Sequence, residues 1–314
     1  MDYAVLGRTG LRVSVMGLGC GGSSRLGQSY GNSEAESIAV VRRALDHGIT
    51  FFDTAEAYGT EEILGKGLKA ARREDVVVST KKSTWHDGEG PLSATEIAAG
   101  LEASLRRLQT DHVDVYHLHG LPAEHYDRAV GELVPEVLRL RDQGKVRFIG
   151  VTEAFASDPG HEMLQRAVQD DCWDVVMVGF NLLNQSARAR VFAKTIEKNI
   201  GVLIMFAVRR ALSDPAALAE VLADLAARGI VEPGPAEEEG ALDFLVREGG
   251  AASLQEAAYR FCRYERGVHV VLSGTGRLDH LDRNAVSLGR PPLPEEEVAR
   301  LKLMFQRVDD VSGN

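Results

Sequence analysis

Short apolar runs recur along the chain, each closing on small or polar residues and most followed by a segment of helical period. Val13 to Gly19, Ile49 to Phe52, Val76 to Lys81 and His112 to Gly120 read as the first four strands. Val146 to Thr152, Val175 to Phe180, Gly201 to Val208 and His269 to Ser273 read as four more. Ser33 with Glu36, and Ser93 with Glu96, have capping-box spacing and open helices, the first running to about Asp46. Glu61 to Arg72 sets Ile63, Leu64 and Leu68 on one face, and the helix after Ser93 carries Ile97, Leu101, Leu105 and Leu108 to the core. Tyr126 to Gln143 and Leu293 to Gln306 predict further helices, and Ser83 to Pro91 a polar loop. Strands alternating with amphipathic helices predict a parallel sheet with helical crossovers. Eight such units predict an α/β fold of the (β/α)8 TIM-barrel kind, as one domain over residues 1–314. Residues 209–252 depart from the repeat. They hold two helical patterns separated by Gly229 to Pro235 and the acidic run Glu237 to Glu239, and read as an elaborated connection after strand seven.

Three strand ends carry chemistry. The second strand closes on Asp53, with Tyr58 five residues later; the third closes on Lys81 and the fourth on His119. In a parallel barrel all strand C-termini face one rim, so these groups converge there. Taken singly, each has a plainer reading: a helix-capping Asp, a surface Tyr, a solvent-facing Lys. Lys82 points the other way on an extended strand and reads as the solvated lysine. His117 shares the face of His119 one layer deeper and reads as a hydrogen-bonded core histidine. His-x-His also occurs in metal hydrolases of barrel fold. No Asp or Glu follows at a spacing that supplies further ligands, so no metal is expected.

Several motifs, in order and spacing, resemble the aldo-keto reductase family. They are Leu6-Gly7-Arg8-Thr9-Gly10-Leu11, Gly17-Leu18-Gly19-Cys20-Gly21-Gly22, Asp53 to Gly59, Ser79-Thr80-Lys81, Ser104 to Leu108, the His119 strand and Gly144 to Val151. The resemblance implies a barrel that binds NADP(H), with NAD(H) as the other possibility, without a Rossmann fold. It also implies a tetrad of Asp53, Tyr58, Lys81 and His119 acting on a small-molecule carbonyl or alcohol. Tyrosine is a weak acid, with a reference pKa of about 10. Lys81 beside it would stabilise the phenolate, Asp53 would keep Lys81 charged, and His119 would orient the carbonyl oxygen.

For the cofactor, the resemblance implies contacts from Gly21 and Gly22 after strand one and from Asp53. Thr152 and Glu153 stand where relatives carry Ser-Asn, and Met177 where they carry Gln. A glutamate accepts when ionised and cannot donate as an amide does. Phe206 is the expected partner for the nicotinamide ring, with Met205 as the alternative under a one-residue shift. Arg209, Arg210 and the loop Ser273-Gly274-Thr275-Gly276-Arg277 are expected at the phosphates, with Asn284 at the adenine and Arg277 at a 2′-phosphate. Gly274 replaces a lysine of the family. The altered carboxamide positions also suit a second reading, a non-catalytic nucleotide-binding regulatory protein. A Schiff-base lyase using Lys81 is a third, opposed by the Asp53 charge beside it.

Composition narrows this further. With 44% hydrophobic and 26% charged residues, the 314-residue chain has a globular composition. A net charge of −10 disfavours nucleic acid and anionic lipid as partners. The three cysteines, Cys20, Cys172 and Cys262, are widely spaced, odd in number and suit a reducing compartment. No apolar run approaches the ~20 residues of a membrane span, and no signal segment opens the chain, so a cytoplasmic location is expected. No pattern sets an oligomeric state.

Overall fold

Alternation along the strands builds the molecule. The computed structural model describes residues 1–86, 90–232 and 240–314. Eight strands pair in parallel, each with the next: β1 (Met16–Gly19), β2 (Phe51–Asp53), β3 (Val77–Ser83), β4 (Val113–Leu121), β5 (Val146–Glu153), β6 (Val175–Gly179), β7 (Gly201–Met205) and β8 (Val270–Ser273). Pairing of β8 with β1 closes the barrel. Outward-facing residues such as Val78, Leu118, Ile149, Val176 and Ile204 meet the surrounding helices in one buried cluster. Inward-facing Phe51, Val77, Val115, Val175, Met177, Leu203 and Val270 form a second, inside the barrel. Leu6, Leu11 and Val13 belong to the same inner cluster. They come from a hairpin of Tyr3–Val5 and Arg12–Ser14 that plugs the N-terminal end, with Leu6 seated against Gly201 at the start of β7.

Continuing inward two residues at a time, apolar gives way to polar: Phe51 to Asp53, Val77 to Ser79 and Lys81, Val115 to His117 and His119. One end of the barrel is therefore an apolar plug and the other a polar mouth. Both capping boxes form, opening helices Glu34–Asp46 and Ala94–Leu108. The expected first strand divides: Arg12–Ser14 joins the plug and only Met16–Gly19 joins the barrel. The helix expected from Glu61 ends at Leu68, and the one after Tyr126 is interrupted by a π-helical turn over Ala129–Leu133. The closing helix is Glu295–Met304. After β7 come helices Pro215–Ala227 and Phe244–Arg247, while the 237–239 run and residues 233–235 lie outside the described residues. In the 83–91 loop, Trp85–His86 pairs with Gly90–Pro91, and residues 87–89 likewise lie outside. Among the described residues no helix is long and apolar enough to cross a membrane.

Candidate active site

The polar mouth brings Asp53, Tyr58, Lys81 and His119 together. Lys81, fully buried, places its Nζ 2.6 Å from Asp53 Oδ2 and 2.8 Å from the carbonyl oxygen of Thr54. Ser79, two residues before Lys81 and on its face, donates to Asp53 Oδ1 at 2.9 Å. Tyr58 ends a short 3-10 turn after β2, and its hydroxyl lies 3.4 Å from His119 Nε2. The Lys81 ammonium sits 4.9 Å from the centre of the Tyr58 ring. Of the ammonium's three donors, Asp53 and Thr54 engage two and leave one on the tyrosine side.

Electrostatics follow from burial and this one ion pair. Burial pulls the Lys81 ammonium down, but the Asp53 charge and the tyrosine raise it further, so Lys81 stays charged. Burial pushes Asp53 upward, against Lys81 and Ser79, so each partner depends on the other. Burial also raises Tyr58 above its ordinary value of 10.0, and the Lys81 charge offsets this only in part. A net lowering of the phenol, as the sequence suggested, is not what the protein alone produces. Burial and then Lys81 push His119 down to about 3, leaving a neutral imidazole at neutral pH. His117 is buried and driven well below its ordinary value, first by burial. Contrary to expectation, neither of its ring nitrogens has a hydrogen-bond partner among the described residues. Its ring packs where a Cβ on Gly150 would come within 2.2 Å, which explains a glycine inside β5.

Tyr58 is held from two sides. A Cβ on Gly21 would lie 2.4 Å from the Tyr58 ring, so this glycine seats the phenol instead of simply opening space for a ligand. Glu56, at the start of the Tyr58 turn, pairs with Lys82 and approaches Arg107. Lys82 is thus an ion-paired strut, where its outward direction had suggested a solvated charge. Arg107 in turn meets buried Glu61, which accepts from Thr80 at 2.6 Å.

The expected nucleotide contacts divide. Thr152 Oγ1 accepts from the Gly120 amide at 2.7 Å and keeps its own hydrogen to donate. Glu153 is a correction. Strand alternation turns it to the outer face of β5, where His161 Nδ1 at 2.9 Å and the Gly179 amide at 2.7 Å hold its carboxylate in full burial. Met177 lies in the inner apolar cluster, in register with Thr152 and Leu203, where its thioether brings no amide donor or carbonyl acceptor. Phe206 stands just beyond β7 in the left-handed region at φ 65°, with the Arg209 guanidinium 3.8 Å from its ring centre. Arg209 Nε is buried without a hydrogen-bond partner among the described residues, as an anion-binding arginine would be. Arg210 is exposed, and Gly22, at φ 65°, is exposed beside Gly21. In the β8 loop, Ser273 Oγ is shared by Asn284 and Tyr259, each at 2.9 Å, and Thr275 Oγ1 accepts from the Arg277 amide at 3.1 Å. Gly274 lies against β1, where a Cβ would sit 3.0 Å from the Gly19 oxygen. Arg277, expected at a 2′-phosphate, instead forks onto Asp279, both contacts at 3.1 Å. Of the arginines expected at the phosphates, Arg209 keeps a buried donor free for an anion among the described residues, and at the carboxamide end Thr152 keeps a donor. Among the described residues no cluster of metal-ligating side chains occurs.

Comparison with known proteins agrees with the barrel fold. Residues 17–304 match the aldo/keto reductase family. L-galactose dehydrogenase of Arabidopsis thaliana is 40% identical over 158 residues, 48% of each chain. Aldo-keto reductase YhdN of Bacillus subtilis is 37% identical over 165 residues, 48% of this chain and 47% of that one. These matches span about half the length of each relative. Among solved structures, the holo form of aldo-keto reductase AKR11C1 from Bacillus halodurans superposes with a TM-score of 0.72 at 26% identity, covering 97% of this chain and 96% of that one. The thermostable aldo-keto reductase Tm1743, in complex with the inhibitor epalrestat, gives 0.71 at 25% identity, covering 97% and 100%. With its closed parallel barrel and a family match over nearly its whole length, the chain belongs to the aldo/keto reductase family.

Proposed function

We propose that the protein interconverts a carbonyl and an alcohol, exchanging hydride with NADP(H) or NAD(H), and that Tyr58 gives or takes the proton. The observation that carries this is the Tyr58 hydroxyl beside His119 Nε2, with the buried Lys81–Asp53 pair against its ring. A bound nicotinamide supplies or accepts the hydride. In reduction, negative charge grows on the carbonyl oxygen, and Tyr58 donates its proton there. An alkoxide is a stronger base than a phenolate, so the transfer runs downhill even from a buried phenol. Lys81 stabilises the phenolate left behind, because its charge is fixed before the reaction and acts where water is excluded. Asp53 and Thr54 prevent the ammonium from swinging away. Neutral His119 offers a hydrogen bond to the same oxygen and sets the substrate's direction. Thr152 would hold the carboxamide, Phe206 would flank the ring, and Arg209 would meet a phosphate.

The substrate class is a small aldehyde, ketone or sugar-like alcohol. The name of the Arabidopsis relative, L-galactose dehydrogenase, supports including sugars. The displaced Glu153 and buried Met177 favour one rival, a protein that binds nucleotide without turning it over. Incubation with reduced nucleotide deuterated at the transferable position of nicotinamide C4, and a panel of aldehydes, ketones and aldoses, separates the two. A product with one deuterium on the former carbonyl carbon is the expected result. Tight binding with no deuterium in any product would establish the rival.

A further inference from the structure

The segment between β1 and helix Glu34–Asp46 takes a costly backbone path. Arg25, Leu26 and Gly27 run consecutively through the left-handed region, at φ 45°, 58° and 93°. Residues with a Cβ avoid this region, and such strain persists only where surrounding contacts over-determine it. Here those contacts are visible at three points. Leu26 is fully buried in the outer core cluster. Gly27 lies so close to the β8 loop that a Cβ on Gly276 would be 2.1 Å from its Cα. Asn32 Nδ2 then donates to the Gly276 carbonyl at 2.8 Å.

The result of this path is the placement of Arg25. Its side chain is exposed, yet Nε donates to the main-chain carbonyl of Tyr58 at 2.7 Å. A Cβ on Gly59 would lie 2.8 Å from the guanidinium, so Gly59 leaves room for the arginine to reach over the turn. The same segment begins at Gly21, against which the Tyr58 ring rests. One strained loop therefore grips Tyr58 at both its ring and its carbonyl, and is itself docked on the β8 loop. Motion of the Tyr58 turn would swing the hydroxyl relative to His119 Nε2, and proton transfer is steep in such displacements.

We propose that Arg25 is a positioning residue for Tyr58: the Arg25-to-carbonyl bond, anchored on the β8 loop by Asn32 and Gly276, fixes where the phenol stands. Arg25 touches no reacting atom and acts only through Tyr58. The inference rests on Tyr58 being the proton donor, so the test is a double-mutant cycle with Tyr58→Phe. Single-turnover reduction of 4-nitrobenzaldehyde is followed in the wild type, Arg25→Ala, Tyr58→Phe and the double variant. Nucleotide affinity is measured by fluorescence titration, and folding by the thermal midpoint. Arg25→Ala is expected to slow reduction by about tenfold with nucleotide affinity within about threefold, and to cost nothing further in the Tyr58→Phe background. Arg25→Lys, which keeps a donor on a long stem, is expected to recover part of the rate. An unchanged rate in Arg25→Ala, or the same fractional loss with and without the phenol, would overturn the proposal. Wild-type turnover by Tyr58→Phe alone would be a different result, removing the donor assignment and this inference with it.

Discussion

Tyr58→Phe is expected to lower the rate of carbonyl reduction by about 10²–10⁴-fold, the range typical for removing a positioned proton donor. The ring itself fills the space against Gly21 and stays beside Lys81, so packing is retained and only the hydroxyl is lost. Nucleotide affinity is expected to stay close to wild type, because the groups proposed to meet the phosphates lie in the segments after β7 and β8, away from the Tyr58 turn. Steady-state kinetics with fluorescence titration of the nucleotide measure both quantities. A rate near wild type would show that another group supplies the proton. His119 is the obvious rival, but at about pKa 3 it carries no proton to spare as a cation at neutral pH.

The second large effect is expected at Lys81. Lys81→Met is expected to destabilise the protein by about 3–5 kcal/mol, because it leaves the Asp53 carboxylate buried without its cation. Asp53 is 3% exposed, so solvent cannot repair the loss. Adding Asp53→Asn to Lys81→Met is expected to restore part of the stability and none of the activity. The two functions of the ion pair then separate: stability needs a balanced pair, whereas catalysis needs the positive charge beside the phenol. Urea unfolding of the single and double variants checks this. Equal unfolding midpoints for wild type and Lys81→Met would show that Asp53 does not depend on the ammonium.

Period two explains why so much of the site was legible. Phe51 and Asp53, Val77, Ser79 and Lys81, and Val115, His117 and His119 stand at alternate positions, so one pattern places apolar residues deep and polar ones at the mouth. Ser79, the second hydrogen-bond donor to Asp53, was missed but lay on that same pattern two residues before Lys81. Two of the errors share a source: direction along a strand does not reveal what waits on the other side. Glu153 falls on the outward face, and only the fold brings His161 and the Gly179 amide to it. Lys82 also points outward, yet Glu56 meets it there. The upward shift of Tyr58 depends on burial, which no residue spacing encodes. Arg25 was hidden for a similar reason, since its partner is a main-chain oxygen 33 residues away. At the N-terminus, one apolar run splits into a hairpin strand and a barrel strand just after Ser14, whose Oγ accepts from the Thr50 amide at 2.9 Å.

The pH dependence of single-turnover carbonyl reduction tests the proton donor most directly. Burial holds Tyr58 above 10.0, so its proton is present at all lower pH and is lost only as pH rises through that raised value. The rate is therefore expected to stay level from about pH 6 to 9 and to fall only at higher alkalinity, and the slow residual reaction of Tyr58→Phe is expected to lack that alkaline fall. A rate that instead declines as pH rises through 6.5, the ordinary histidine value, would point to a charged His119 as the donor and contradict the assignment of Tyr58.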